Sequence, residues 1–172
     1  MPVVDSDADL VKVLSHSGVV GLYGVTPAPD DAALKVAALL RERKHTVFLI
    51  DPRHAGETAG GQKVIASFWG VPRGVKIDLV VSFPSVVQPG EAMVDAAVTR
   101  HARYLWIEPG VLDLNVVGYA ANWFEAVVLN RKVVEEYDRL LKGETPKEIA
   151  APAFPPWWEA KHRLRRIPEG LE

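Results

Sequence analysis

Apolar residues fall along this chain in two alternating rhythms. Runs that are apolar at nearly every position, at residues 19–23, 46–50, 77–81, 104–107 and 126–129, predict strands buried on both faces. Between them, spacings of three and four predict helices. Ala33, Val36, Ala37 and Leu40 share one helical face, as do Val133, Tyr137, Leu140 and Leu141. Ser6-Asp7-Ala8-Asp9 has the Ser-x-x-Asp form of a helix start, ahead of Leu10, Val13 and Leu14. Pro89-Gly90-Glu91 opens a helix carrying Met93, Ala96 and Ala97, and a further helix is expected over about residues 112–123. Residues 53–61 read as a polar, Gly-rich loop. A short extended piece at 64–66 and a turn of helix capped by Ser67 follow it. Lys142-Gly143 supplies the chemistry that ends the closing helix.

Doubly apolar strands alternating with helices imply a parallel sheet covered on both sides. With right-handed crossovers the expected class is α/β: a doubly wound, mainly parallel, Rossmann-like sheet of about five to six strands, helices on both faces. The rhythm spans residues 1–143. Residues 144–172 form a Pro- and Trp-rich extension with Trp157-Trp158 and the basic run Lys161 to Arg166. A Trp pair is costly to leave wet, so the extension is expected to pack on its own domain or on a second subunit, giving a homodimer.

Composition narrows the function classes. Lys and Arg number 20 against 22 Asp and Glu, a net charge of −2, which gives no electrostatic case for nucleic acid or anionic membrane. No apolar run approaches the roughly 18 residues of a spanning helix, and a cytoplasmic location is expected. The chain has no cysteine, which excludes disulfides, thiolate metal sites and a Cys nucleophile. The five histidines are scattered without metal-ligand spacing, so no metal site is expected. No Gly-x-Ser-x-Gly elbow or Gly-x-x-x-x-Gly-Lys-Ser/Thr loop is present, and no reaction is specified.

In an open parallel sheet, ligands bind beyond the carboxyl ends of the strands. The candidate loops are therefore 21–31, 51–61, 82–88 and 108–112. In the first, Gly21 and Gly24 permit close backbone approach, and the helix that follows offers its N-terminus to a phosphate, with Asp30 and Asp31 as competing caps. Gly21-Leu22-Tyr23-Gly24 is not the Gly-x-Gly-x-x-Gly dinucleotide fingerprint. Asp51 stands where NAD proteins hold ribose hydroxyls, although an Asp-Pro turn explains it as well. Arg53 is placed to meet a phosphate. His54 lies on the same loop, with no carboxylate partner assigned to it.

These residues resemble those of the small stand-alone CoA-binding proteins. The likeness runs through Val19-Val20-Gly21-Leu22, Asp51-Pro52-Arg53, Gly56-Glu57, Val64 to Ser67, Asp78 to Phe83, Trp106 to Val111 and Val127 to Arg131. The resemblance implies a Rossmann-like domain related to the nucleotide-binding domain of succinyl-CoA ligase. It also implies non-catalytic binding of coenzyme A or an acyl-CoA at the carboxyl edge of the sheet. The site residues so implied are Gly21, Tyr23, Gly24, Thr26, Pro27, Pro52, Arg53 and Phe83. Phosphates would lie by the first loop and Arg53, and the adenine by Pro52 and Phe83. The chain departs from the family pattern at Tyr23 (Ser), Asp51 (Asn), Pro84 (Arg) and Glu108 (Gln), and its first loop is longer. Two further readings stand beside this one: a degenerate CoA-binding fold acting as an interaction or scaffold module, and an NAD-linked enzyme motivated by Asp51. On the CoA reading, Arg53→Ala is expected to lower affinity and leave the melting temperature nearly unchanged.

Overall fold

A seven-stranded sheet in the order β3-β4-β2-β1-β5-β6-β7 forms the centre of the molecule. The computed structural model describes residues 3–141. Its strands are β1 (Val19–Tyr23), β2 (Thr46–Ile50), β3 (Thr58–Ala59), β4 (Gln62–Ile65), β5 (Leu79–Ser82), β6 (Tyr104–Ile107) and β7 (Ala126–Leu129). Every pairing is parallel except β3 with β4. The chain winds outward from β1 to β2 and β4, then returns to β5 on the other side of β1. The strand order therefore reverses between β1 and β5, and that point is where an open sheet parts its loops to form a crevice.

The helices are α1 (Asp7–Ser15), α2 (Ala32–Glu42), α3 (Glu91–Thr99), α4 (Leu114–Ala121) and α5 (Val133–Leu141), with one 3-10 turn at Phe68–Gly70. Alternation along each strand sends side chains into two separate cores. On one face Leu22, Leu49, Val81 and Trp106 pack under α1, α2 and α5. On the other, Ile50, Val80, Leu105 and Val127 pack under the 3-10 turn, α3 and α4. Gly21, in the middle of β1, has no side chain to contribute. A Cβ there would stand 2.5 Å from Phe68 Cε1, so the glycine lets the Phe68 ring lie directly on the sheet.

The α/β, doubly wound expectation holds, with seven strands in place of five to six. The additional strand, β3, comes from the stretch read as a loop, and β4 corresponds to the extended piece expected at 64–66, beginning two residues earlier. Gly60 (φ +55°) and Gly61 (φ +81°) form a two-residue turn between Ala59 and Gln62. Positive φ at both central positions is the geometry of a type I′ hairpin. Ser6 caps α1 as its motif predicts, accepting from Asp9 N at 3.2 Å. The helix expected over 112–123 is shorter, because the Asp113 carboxylate accepts from Asn115 N at 2.9 Å and starts it at Leu114. Beneath α5, the buried His45 donates from Nδ1 to Ser17 O and accepts at Nε2 from the Tyr137 hydroxyl at 2.8 Å. Lys142-Gly143 and the extension of residues 144–172, with its Trp pair and proposed dimer contact, lie outside the described residues. Among the described residues no helix is long and apolar enough to cross a membrane.

Candidate functional site

The first loop leaves the sheet at its centre. Gly24 N still donates to Ile50 O at 2.9 Å, extending the β1–β2 ladder by one residue, and Gly24 then turns the chain at φ +100°. The next two amides point away from the ladder. Val25 N donates to Asp51 Oδ2 at 3.2 Å, and Thr26 N donates to Asp31 Oδ2 at 3.2 Å. Asp31 thus closes the loop on itself at the head of α2. Burial raises its carboxyl pKa above the ordinary value, against the lowering effect of the Thr26 bonds.

Asp51, the first residue after β2, is completely buried. Its Oδ1 accepts from Arg53 N at 2.8 Å and Arg53 Nε at 3.2 Å, and its Oδ2 accepts from Arg53 Nη2 at 2.9 Å as well as from Val25 N. Burial alone would push this carboxyl up, but the hydrogen bonds and charge of Arg53 outweigh it and hold the pKa below the usual value. The Oδ1–Arg53 N bond is the turn expected of Asp-Pro. Asp51 is therefore committed to Arg53 and the first loop, which removes the one support for an NAD ribose at this position. The Arg53 side chain remains 47% exposed.

Beside this pair a cleft of about 280 Å³ opens between the strand ends, the 3-10 turn and α3. Tyr23, Pro52, Phe68, Trp69, Met93 and Ala96 are among its walls, with Ser67 and Ala92 at the same cavity. Most of these groups are apolar or aromatic. Next to Tyr23 in the sheet register, Ser82 ends β5 with its Oγ buried and without a hydrogen-bond partner.

The residues picked out from sequence fall in three groups. Tyr23 and Pro52 line the cleft, and Arg53 adjoins Pro52 on the same loop. Gly24, Thr26 and Pro27 form the first loop on the other side of Asp51. Gly21 lies beneath Phe68 within the sheet, and Phe83 is buried in the core under α2 and α5. Sequence reasoning missed Phe68, Trp69, Ala92, Met93 and Ala96. Trp69, 56% exposed just after a Ser cap, was the available signal. His54 does have a carboxylate partner: its Nδ1 meets Glu57 Oε2 at 2.9 Å, three residues on.

Two positions at the far end of the edge have structural duties. A larger cavity of about 350 Å³ beyond β6 and β7 is bordered by Arg131, but that guanidinium is held by Asp5 and Glu136. Glu108 turns toward α5, where its Oε2 accepts from Val133 N at 2.8 Å. Burial raises the Glu108 pKa against that hydrogen bond. A raised folded-state pKa means that the folded chain binds the proton more tightly than the unfolded one. Its stabilising contribution is present below the ordinary value near 4.5 and is lost as pH rises through the folded value. Glu108→Gln keeps an acceptor for Val133 N without a charge to bury. Urea unfolding should show it more stable than the natural protein by about 0.5–2 kcal/mol at pH 7, with the gain shrinking toward pH 4.

The family described as "CoA binding domain" matches residues 19–136, from β1 into α5. No curated protein sequence matches the chain. Among solved structures, a hypothetical protein from Pyrococcus horikoshii OT3 is 24% identical, with a TM-score of 0.68 over 80% of this chain and 93% of its own. Prb, a protein redesigned for binding, is 27% identical, with a TM-score of 0.70 over 83% of this chain and 96% of its own. A protein from Thermus thermophilus, 23% identical, covers 79% of this chain and 99% of its own at a TM-score of 0.63. The match to these small proteins runs over nearly their whole length.

Proposed function

We propose, from the premise that this chain belongs to the CoA binding domain family, that the protein binds coenzyme A or an acyl-CoA without catalysing a reaction on it. The observation that carries this reading is the adjacency, at the carboxyl edge of the sheet, of an apolar cleft and a half-exposed guanidinium. The cleft, at about 280 Å³, falls just below the range of small-molecule pockets, about 300–1,000 Å³. It suits one flat, mostly apolar part of the ligand, such as the adenine, stacked by Tyr23 and Trp69. The rest of the ligand runs along the strand ends, with a phosphate at Arg53. Gly24, Thr26 and Pro27 of the first loop flank that path.

Isothermal titration with CoA is the test. Heat that saturates at micromolar ligand supports the reading, and no heat at high micromolar CoA overturns it. Ala92 is exposed and borders the cleft, so Ala92→Phe should fill the mouth, weakening CoA binding at least about tenfold while leaving the melting temperature within a degree or two. Unchanged affinity in that variant would remove the cleft from the ligand path.

A second reading, an interaction module that has kept the fold and lost the ligand, draws on the two carboxylates at the first loop. A nucleotide released on denaturing freshly purified protein would count against it. In either case the Trp-containing extension is proposed to join two copies of the chain in the cytoplasm. A monomeric mass by light scattering would overturn the dimer.

A further inference from the structure

We infer that Asp51 and Asp31 act as internal stand-ins for ligand phosphate, and that Asp51 in particular sets how tightly the site takes an anion. The inference rests on the CoA reading for the identity of the ligand, and on the hydrogen bonds alone for the occupancy. Three donors face the carboxyl edge where β1 and β2 end: Val25 N, Thr26 N and the Arg53 guanidinium. These are the groups an incoming phosphate would use, two backbone amides of the first loop and a planar cation. Each is already bonded to a carboxylate of this chain. Asp51 takes Val25 N and two nitrogens of the guanidinium, and Asp31 takes Thr26 N.

The bonds differ in quality. Both amide contacts are 3.2 Å, at the long end for N–H···O, whereas the Arg53 Nη2 contact is 2.9 Å with full opposite charges. A phosphate can therefore take the amides more readily than it can take Arg53. Recruiting Arg53 leaves the buried Asp51 charge beside the new anion, so the carboxylate opposes the ligand twice, by holding its cation and by repelling its charge. Asp51 meets Val25 N and Arg53 N with different oxygens, so Asn at this position, with one oxygen, keeps an acceptor for only one of the two amides, and it neither opposes an anion nor ties down the guanidinium. The charge at this single position thus governs the balance between a self-closed loop and a liganded one.

The experiment compares the natural protein with Asp51→Asn and Asp30→Asn. Asp30 lies on the same loop but is exposed, so the second variant removes the same charge without opening a donor. Titration with CoA should tighten at least about tenfold in Asp51→Asn and change less than about twofold in Asp30→Asn. Pyrophosphate followed by amide NMR should shift residues 25, 26 and 53 in Asp51→Asn at concentrations that leave the natural protein unmoved. If CoA binds neither protein while pyrophosphate still separates them, the CoA reading fails and this inference stands. If CoA binds both equally, or if Asp30→Asn gains as much, the inference fails and the CoA reading stands. If neither ligand affects either protein, both fail. Should Asp51→Asn not fold, Asp31→Ala frees Thr26 N alone and should give a smaller gain in the same direction; no gain there also overturns the inference.

Discussion

Arg53→Ala should weaken CoA binding by about 10- to 100-fold and also lower the melting temperature of the free protein by several degrees. The first effect is the loss of a charge-assisted phosphate contact of about 1.5–3 kcal/mol. The second reverses the expectation from sequence that stability would be untouched. Asp51 is completely buried, and three of its four hydrogen bonds come from Arg53. Alanine retains the backbone one and removes both that come from the guanidinium. Breaking a buried ion pair costs about 3–5 kcal/mol, but here the guanidinium is half-exposed and screened, which reduces the figure to about 1–2 kcal/mol. Because Asp51 titrates below its ordinary value, its contribution is present above pH 3.8 and is lost as pH falls through the folded value. The deficit of Arg53→Ala should therefore narrow below about pH 4. Thermal melts at pH 7 and pH 3.5, with calorimetric titration, check both parts. In Arg53→Ala/Asp51→Asn, stability should return while affinity stays below that of Asp51→Asn alone. A melting temperature unchanged in Arg53→Ala would mean that solvent replaces the guanidinium at Asp51.

Part of this arrangement was legible in the sequence and part was not. β1, β2, β6 and β7 were legible to the residue, because strands buried on both faces leave an uninterrupted apolar run bounded by polar or turn residues. The hairpin of β3 and β4 was not, since Thr58 and Lys63 are exposed and each strand contributes only a few residues. Its one local mark was Gly60-Gly61. At the site, the Asp51–Arg53 turn lay within three residues and could be read. The bond from Val25 to Asp51, 26 residues away, depends on how β1 and β2 align and left no mark in either segment. The cleft was hidden for a similar reason. Ala92, Met93 and Ala96 have the spacing of an ordinary buried helix face, and only the approach of the 3-10 turn to α3 leaves a gap between them. The pairing of His54 with Glu57 was within reach of an i, i+3 search, because local pairs need no knowledge of the fold.

Gly21→Val should destabilise the protein by about 2–3 kcal/mol, although valine is the better strand former. Sequence placed Gly21 at the ligand for close backbone approach, and the structure puts another group in that space. An added Cβ would lie 2.5 Å from Phe68 Cε1 and 3.2 Å from Ile50 Cδ1. Phe68 is 1% exposed and enclosed by its core, so the ring cannot swing aside without lifting the 3-10 turn. Overpacking of this kind costs about 1–3 kcal/mol, sometimes more, and exceeds the modest gain from strand propensity. Because Phe68 also walls the cleft, the displaced ring should weaken CoA binding in the same variant. A double-mutant cycle with Phe68→Leu, read by urea unfolding, separates packing from ligand contact. If the glycine exists to admit the ring, the smaller side chain should relieve part of the valine penalty, with a coupling energy of about 1 kcal/mol or more. Additive penalties, or a loss of affinity in Gly21→Val without loss of stability, would return Gly21 to the ligand and take from Phe68 its place on the sheet.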